Sequence, residues 1–120
     1  MEEKSIMKNQ KKQKENYLEK IPVRPDFKWT LNEEGLVTFE IENTGFFNKI
    51  AQKFFKRPKI SYIHLDENGS YIWQIVDGEK NIIELGKDVK EHFGDKAEPL
   101  YERLAKFFQI LDSYGYIEWK

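Results

Sequence analysis

Apolar and polar residues alternate along the chain from Phe27 to Ile41. Phe27, Trp29 and Leu31 are separated by Lys28 and Thr30, and Val37, Phe39 and Ile41 follow the turn Asn32-Glu33-Glu34-Gly35. A period of two on either side of such a turn predicts two strands joined as a hairpin. The period changes in GFFNKIAQKFFKRPK, Gly45 to Lys59, where Phe46-Phe47, Ile50-Ala51 and Phe54-Phe55 recur four residues apart. That spacing predicts an amphipathic helix over 45–58, stopped at Pro58. Ile60, Tyr62 and His64 then alternate with Ser61, Ile63 and Leu65. The apolar character of both sets predicts a third strand covered on both faces.

From Leu65 to Gly78 the chain compresses a strand end, a capped helix and a turn. Asp66 is placed to cap a helix with its carboxylate, Ile72, Trp73 and Val76 recur at helical spacing, and Asp77-Gly78 stops it. A second helix is marked by Ile82, Leu85, Val89 and Phe93 and ended by Gly94, with Glu84 in its first turn, where the helix dipole favours it. A third opens at Glu98-Pro99 and carries Leu100, Leu104, Phe107 and Leu111 as its core stripe, closing at Tyr114-Gly115. Tyr116 to Trp119 reads as a short extended end. The predicted fold is α+β and winged-helix-like: a three-stranded antiparallel sheet followed by three helices, with the extra amphipathic helix inserted between strands 2 and 3. Residues 1–20, rich in lysine and glutamine, read as a mobile polar tail; residues 21–120 form the domain.

Composition narrows the chemistry. A chain of 120 residues suffices for one domain with a real core, and its lack of cysteine excludes disulfides, thiolate metal sites and cysteine nucleophiles. No stretch has the length of a signal-peptide core or of a membrane span, so a soluble, cytoplasmic protein is expected. Net charge is −1, spread as +2 over Met1–Lys20, +2 over Ile21–Lys59 and −5 over Ile60–Lys120. A nucleic-acid binder would present a dominant basic face, and the third helix, with Glu98, Glu102, Arg103, Lys106 and Asp112, is balanced instead. His64 and His92 stand apart without a metal-ligand spacing, and phosphate loops and serine-histidine-acid sets are absent. No enzyme activity, metal or cofactor is expected.

Several of these residues together resemble a known family. Leu65-Asp66, Gly69, Ile72-Trp73, Asp77-Gly78, Asn81-Ile82 with Glu84-Leu85, then Leu111 and Gly115-Tyr116-Ile117 are similar in order and spacing to the PqqD family, named for pyrroloquinoline quinone biosynthesis. The resemblance runs from about Val23 to Trp119. Asp66 stands where the family more often has asparagine and Asn81 where it more often has threonine; all of these cap helices. The segment 45–58 is an insertion relative to the shortest members.

The resemblance implies a peptide-binding module, a RiPP recognition element, rather than an enzyme. The leader of a ribosomal precursor peptide would add as a strand beside the third strand, against the third helix, and be presented to a modifying enzyme, often a radical SAM protein. The strand edge Lys59, Ser61, Tyr62, Ile63 and His64 offers backbone groups suited to strand addition. Each new backbone hydrogen bond contributes roughly 0.5 to 1.5 kcal/mol, whereas ordering a peptide costs about 1 to 2 kcal/mol per residue. Apolar side chains must therefore be buried too. A second stripe on the third helix, Tyr101, Ala105 and Phe108 with Leu104 beside it, is the expected groove wall, the competing reading being that these are core residues.

The inserted helix carries the alternative readings. Its apolar face needs a cover, either the outer face of the sheet at Ile60 and Tyr62, an anionic membrane surface, or a partner protein. Lys49, Lys53, Lys56, Arg57 and Lys59 make a cluster of five positive charges with no acid among them, a pattern suited to peripheral membrane contact. A winged-helix nucleic-acid binder ranks below both.

Overall fold

The computed structural model describes residues 17–42 and 60–120, so the inserted helix predicted over 45–58, most of the polar tail and Lys59 lie outside the described residues. Its elements are β1 (Pro22–Val23), β2 (Lys28–Leu31), β3 (Val37–Glu42), β4 (Ile60–His64), α1 (Glu67–Ile75), α2 (Ile82–Phe93), a 3-10 turn (Gly94–Ala97), α3 (Leu100–Ser113) and β5 (Glu118–Trp119). The fold is α+β, with the predicted three-stranded antiparallel sheet and three helices. The chain divides into two compact units, Asp26–Tyr71 and the remainder, and α1 contributes to each.

In the first unit the strand order is β2-β3-β4, antiparallel throughout. Trp29 lies opposite Phe39, Leu31 opposite Val37 and Ile63 opposite Phe39, so these residues share one face of the sheet. Val37 and Phe39 are fully buried there, and the Phe27 ring meets Phe39 edge-on at 5.0 Å. Lys28, Thr38, Glu40, Ile60, Tyr62 and His64 share the other face, where the Lys28 ammonium lies 3.2 Å from the Glu40 carboxylate. The hairpin closes as its sequence implies. Asn32 Oδ1 accepts from the N–H groups of Glu34 and Leu36, and Gly35 takes the left-handed φ of 82° that other residues adopt only with strain.

β4 departs from expectation. Ile60, Tyr62 and His64 are exposed, so the described residues cover the strand on one face and not on both. Apolar side chains of this kind suit a pleated strand whether or not both of its faces are buried. Beyond β4, Asp66 Oδ1 accepts from Gly69 N–H at 2.7 Å and starts α1 as predicted. Ser70, one turn on, is wholly buried: its Oγ accepts from Val37 N–H at 2.8 Å, fastening the start of α1 to β3.

In the second unit α2 opens on a reciprocal capping box. Asn81 Oδ1 accepts from Glu84 N–H and Glu84 Oε1 accepts from Asn81 N–H. It ends at Gly94 with φ 64°, as the sequence predicts. α3 begins one residue beyond Pro99, which sits in extended conformation at the cap instead of inside the first turn. Trp73, Ile82, Leu85, Leu104 and Phe108 are the largest fully buried side chains of this second unit. A two-stranded sheet, β1 with β5, pairs Pro22 with Trp119 and Val23 with Glu118. Two-residue strands are too short to display a period, which is why the sequence shows only extended segments there.

Candidate functional site

Strand β4 ends the sheet: among the described strands it pairs with β3 alone. In an antiparallel ladder alternate residues turn their backbone groups toward the partner strand and the others turn them outward. Edges of this kind are usually blunted by lysine, proline or a bulge, because they invite pairing with another chain. Ile60–His64 contains neither charge nor proline. Tyr62 is 56 % exposed and Ile60 42 %, while Ser61 and Ile63 are half-buried on the opposite face. His64 is exposed and shares a hydrogen bond of 2.9 Å between its Nδ1 and Thr38 Oγ1, which ties the ring to β3.

The four α3 residues expected to wall a groove divide sharply. Tyr101 is 38 % exposed, whereas Leu104 is 1 % and Phe108 0 % exposed, and Ala105 is buried with them. Leu104 and Phe108 are core residues, with no surface to offer a ligand. The burial of Phe108 has a simple origin. From Leu104 the core stripe can continue at i+3 or at i+4, and both positions, 107 and 108, hold phenylalanine. The structure buries Phe108 and leaves Phe107 half-exposed, with the two rings edge-on at 5.2 Å. Of the four, Tyr101 alone remains as a side chain that another molecule can touch.

A cluster the sequence did not reveal joins the two ends of the second unit. Trp119 Nε1 donates to Asp112 Oδ1 at 3.0 Å, and its ring meets Tyr17 edge-on at 5.5 Å and Phe108 at 6.1 Å. The Lys20 ammonium lies 5.4 Å from the ring centroids of both Tyr17 and Trp119, a cation-π arrangement. The Tyr17 hydroxyl is buried without a hydrogen-bond partner among the described residues. Burial, reinforced by the Asp112 charge, pushes its pKa up to about 12. Tyr17 and Lys20 fall in a segment read as tail, about a hundred residues from Trp119, and only the chain's return as β5 brings them together.

The remaining electrostatics are structural. Backbone N–H groups of Lys80 and Glu79 hold the Asp77 carboxyl below its ordinary range, as befits the turn before α2. Lys90 bridges Glu98 at 2.9 Å and Asp95 at 3.4 Å, lowering the Glu98 pKa and raising its own. Among the described residues no group of three or more histidine, aspartate or glutamate side chains is arranged to hold a metal. No helix among them is long and apolar enough to cross a membrane.

Comparison with known families settles the kinship. The family model for coenzyme PQQ synthesis protein D, PqqD, matches residues 30–117. The chain belongs to the PqqD family. Comparisons with curated proteins and with solved structures found no match. The PqqD match takes in β3, β4 and the three helices described above, and with them the Asp66 cap, the Ser70 fastening and the Asn81 capping box.

Proposed function

We propose that this PqqD-family chain is a peptide-binding module that takes the leader of a ribosomal precursor peptide as an added strand on β4 and presents it to a modifying enzyme, with a radical SAM enzyme as the favoured partner. The observation that carries the reading is the β4 edge: an uncharged, proline-free strand, last in its sheet among the described strands, with Ile60 and Tyr62 exposed beside it. An added strand gains backbone hydrogen bonds worth roughly 0.5 to 1.5 kcal/mol each, less than the cost of ordering its residues. Side chains flanking the edge supply the balance, at about 0.2 to 1 kcal/mol per cross-strand pair and more where an apolar group becomes fully buried. Ser61, Tyr62, Ile63 and His64 contribute from β4, and Lys59, outside the described residues, is proposed with them. On α3 the contribution falls to Tyr101, with Leu104, Ala105 and Phe108 supporting the helix from within. The module performs no chemistry itself in this reading and works in the cytoplasm, where precursor and enzyme are made.

The test takes as probes synthetic N-terminal segments of the short open reading frames that flank the gene. Each is titrated into the purified chain by calorimetry. Saturable one-to-one binding that Tyr62→Asp weakens at least tenfold, with an unchanged melting temperature, supports the proposal. Binding untouched by Tyr62→Asp removes the β4 edge from the site.

A further inference from the structure

Helix α2 carries one residue that its own backbone does not explain. Gly86 is buried in the middle of Ile82–Phe93, with neither a turn nor a left-handed φ to require it. Glycine is disfavoured there relative to alanine because it gives up more backbone freedom on folding. Packing supplies the reason. A Cβ at position 86 would stand 2.8 Å from Cε1 and 3.4 Å from Cζ of Tyr101, and 3.0 Å from Cδ1 of Leu104. Leu104 belongs to the core, but Tyr101 keeps 38 % of its surface exposed. The helix thus gives up a favourable residue where two side chains of α3 lie against it, the core residue Leu104 and, closer still, the part-exposed Tyr101 ring.

We infer that Gly86 is a positioning residue for peptide binding: lacking a side chain, it seats the Tyr101 ring against α2 and leaves the rest of that ring facing outward, so a peptide meets an aromatic already fixed in place. The inference rests on the assignment of Tyr101 to the peptide under the proposed function. A ring held in advance loses little freedom on binding, which is the usual advantage of tyrosine at recognition surfaces. The atom nearest the missing Cβ lies on the Tyr101 ring, far along a side chain that can swing. Gly86→Ala therefore displaces the ring most, while Leu104 has to give by only a few tenths of an ångström.

The experiment uses the full chain and whichever synthetic N-terminal segment, made from the short open reading frames that flank the gene, binds it. Tyr101→Ala is expected to weaken binding about tenfold, and Gly86→Ala by a similar factor. The double variant should bind no more weakly than Tyr101→Ala alone, because Gly86 acts through the ring. A Gly86 with a purely structural role would add its own loss in the Tyr101→Ala background, and that result overturns the inference. So does wild-type binding by Gly86→Ala when Tyr101→Ala is weakened, an outcome that leaves peptide binding standing. Wild-type binding by Tyr101→Ala removes the ring from the site and the inference with it, while the β4 edge stays testable through Tyr62. A measurement on the unmodified chain covers the case in which a variant does not fold. The nuclear Overhauser effect between Gly86 Hα and the Tyr101 ring protons should persist in the free and peptide-saturated protein, and its loss on saturation overturns the positioning role.

Discussion

Strand β4 and helix α3 carry similar apolar content at regular spacing, yet they end in opposite environments. Ile60 and Tyr62 of β4 stand in solvent, while Leu104 and Phe108 of α3 have almost no exposed surface. On α3 the apolar residues fall on adjoining stripes of one helix, and a stripe that wide is buried as core. On β4 they fall on alternate faces, and only the face shared with Val37 and Phe39 is part of the core. The difference teaches where recognition can reside: a strand edge can keep apolar groups outward without weakening the fold, whereas a helix this apolar contributes mainly to stability.

The sharpest way to break that contrast is to truncate both sides of it. Phe108→Ala and Trp73→Ala should each cost about 3 to 5 kcal/mol in urea unfolding, the range for emptying a large aromatic site. A loss under 1 kcal/mol for Phe108→Ala would return that residue to the surface. Ser70→Ala comes next. It leaves the buried Val37 N–H without its 2.8 Å acceptor, and a loss of about 1 to 3 kcal/mol is expected in the same assay. Stability equal to the unmodified chain would mean that α1 is not fastened to β3 through this bond. On the edge itself, Tyr62→Ala should change stability by no more than about 0.5 kcal/mol, as for an exposed side chain. A larger loss would make Tyr62 part of the core.

The smallest effect is one of pH and belongs to the second unit. Tyr17 is neutral when folded up to about pH 12 because burial raises its pKa, whereas the unfolded chain loses that proton near the ordinary value of 10. The stability this group contributes is therefore complete below pH 10 and declines as pH rises toward 12. Ultraviolet titration of the phenolate band, wild type minus Tyr17→Phe, should show a midpoint near 12. A midpoint near 10 would mean that Tyr17 is solvated, and would separate it from the Trp119 cluster.

Much of the fold was legible in the sequence because local signals agreed with one another. The alternation through Trp29 and Phe39, the Asp66 and Asn81 caps and the Gly94 stop each named an element that is present. What stayed hidden depended on partners distant in sequence. Ser70 looks like any polar helix residue until β3 supplies the Val37 N–H. Trp119 looks like the end of a tail until Tyr17 and Lys20 lie against it. Of the candidate site, the β4 edge was legible because strand alternation and chain order place it. The helix wall was not, because Phe107 and Phe108 satisfy the same spacing and only packing chooses between them.

Strand addition itself has a direct measurement. The synthetic leader segment is prepared as a series in which one backbone nitrogen at a time carries a methyl group, removing a single N–H donor while every side chain is kept. If the leader pairs with β4, affinity will fall at every second position across the bound stretch and hold at the positions between, because only alternate residues of an edge strand turn their N–H groups toward the neighbouring strand. A uniform response, or none, would show that the peptide is held by its side chains alone and would contradict the assignment of the β4 edge.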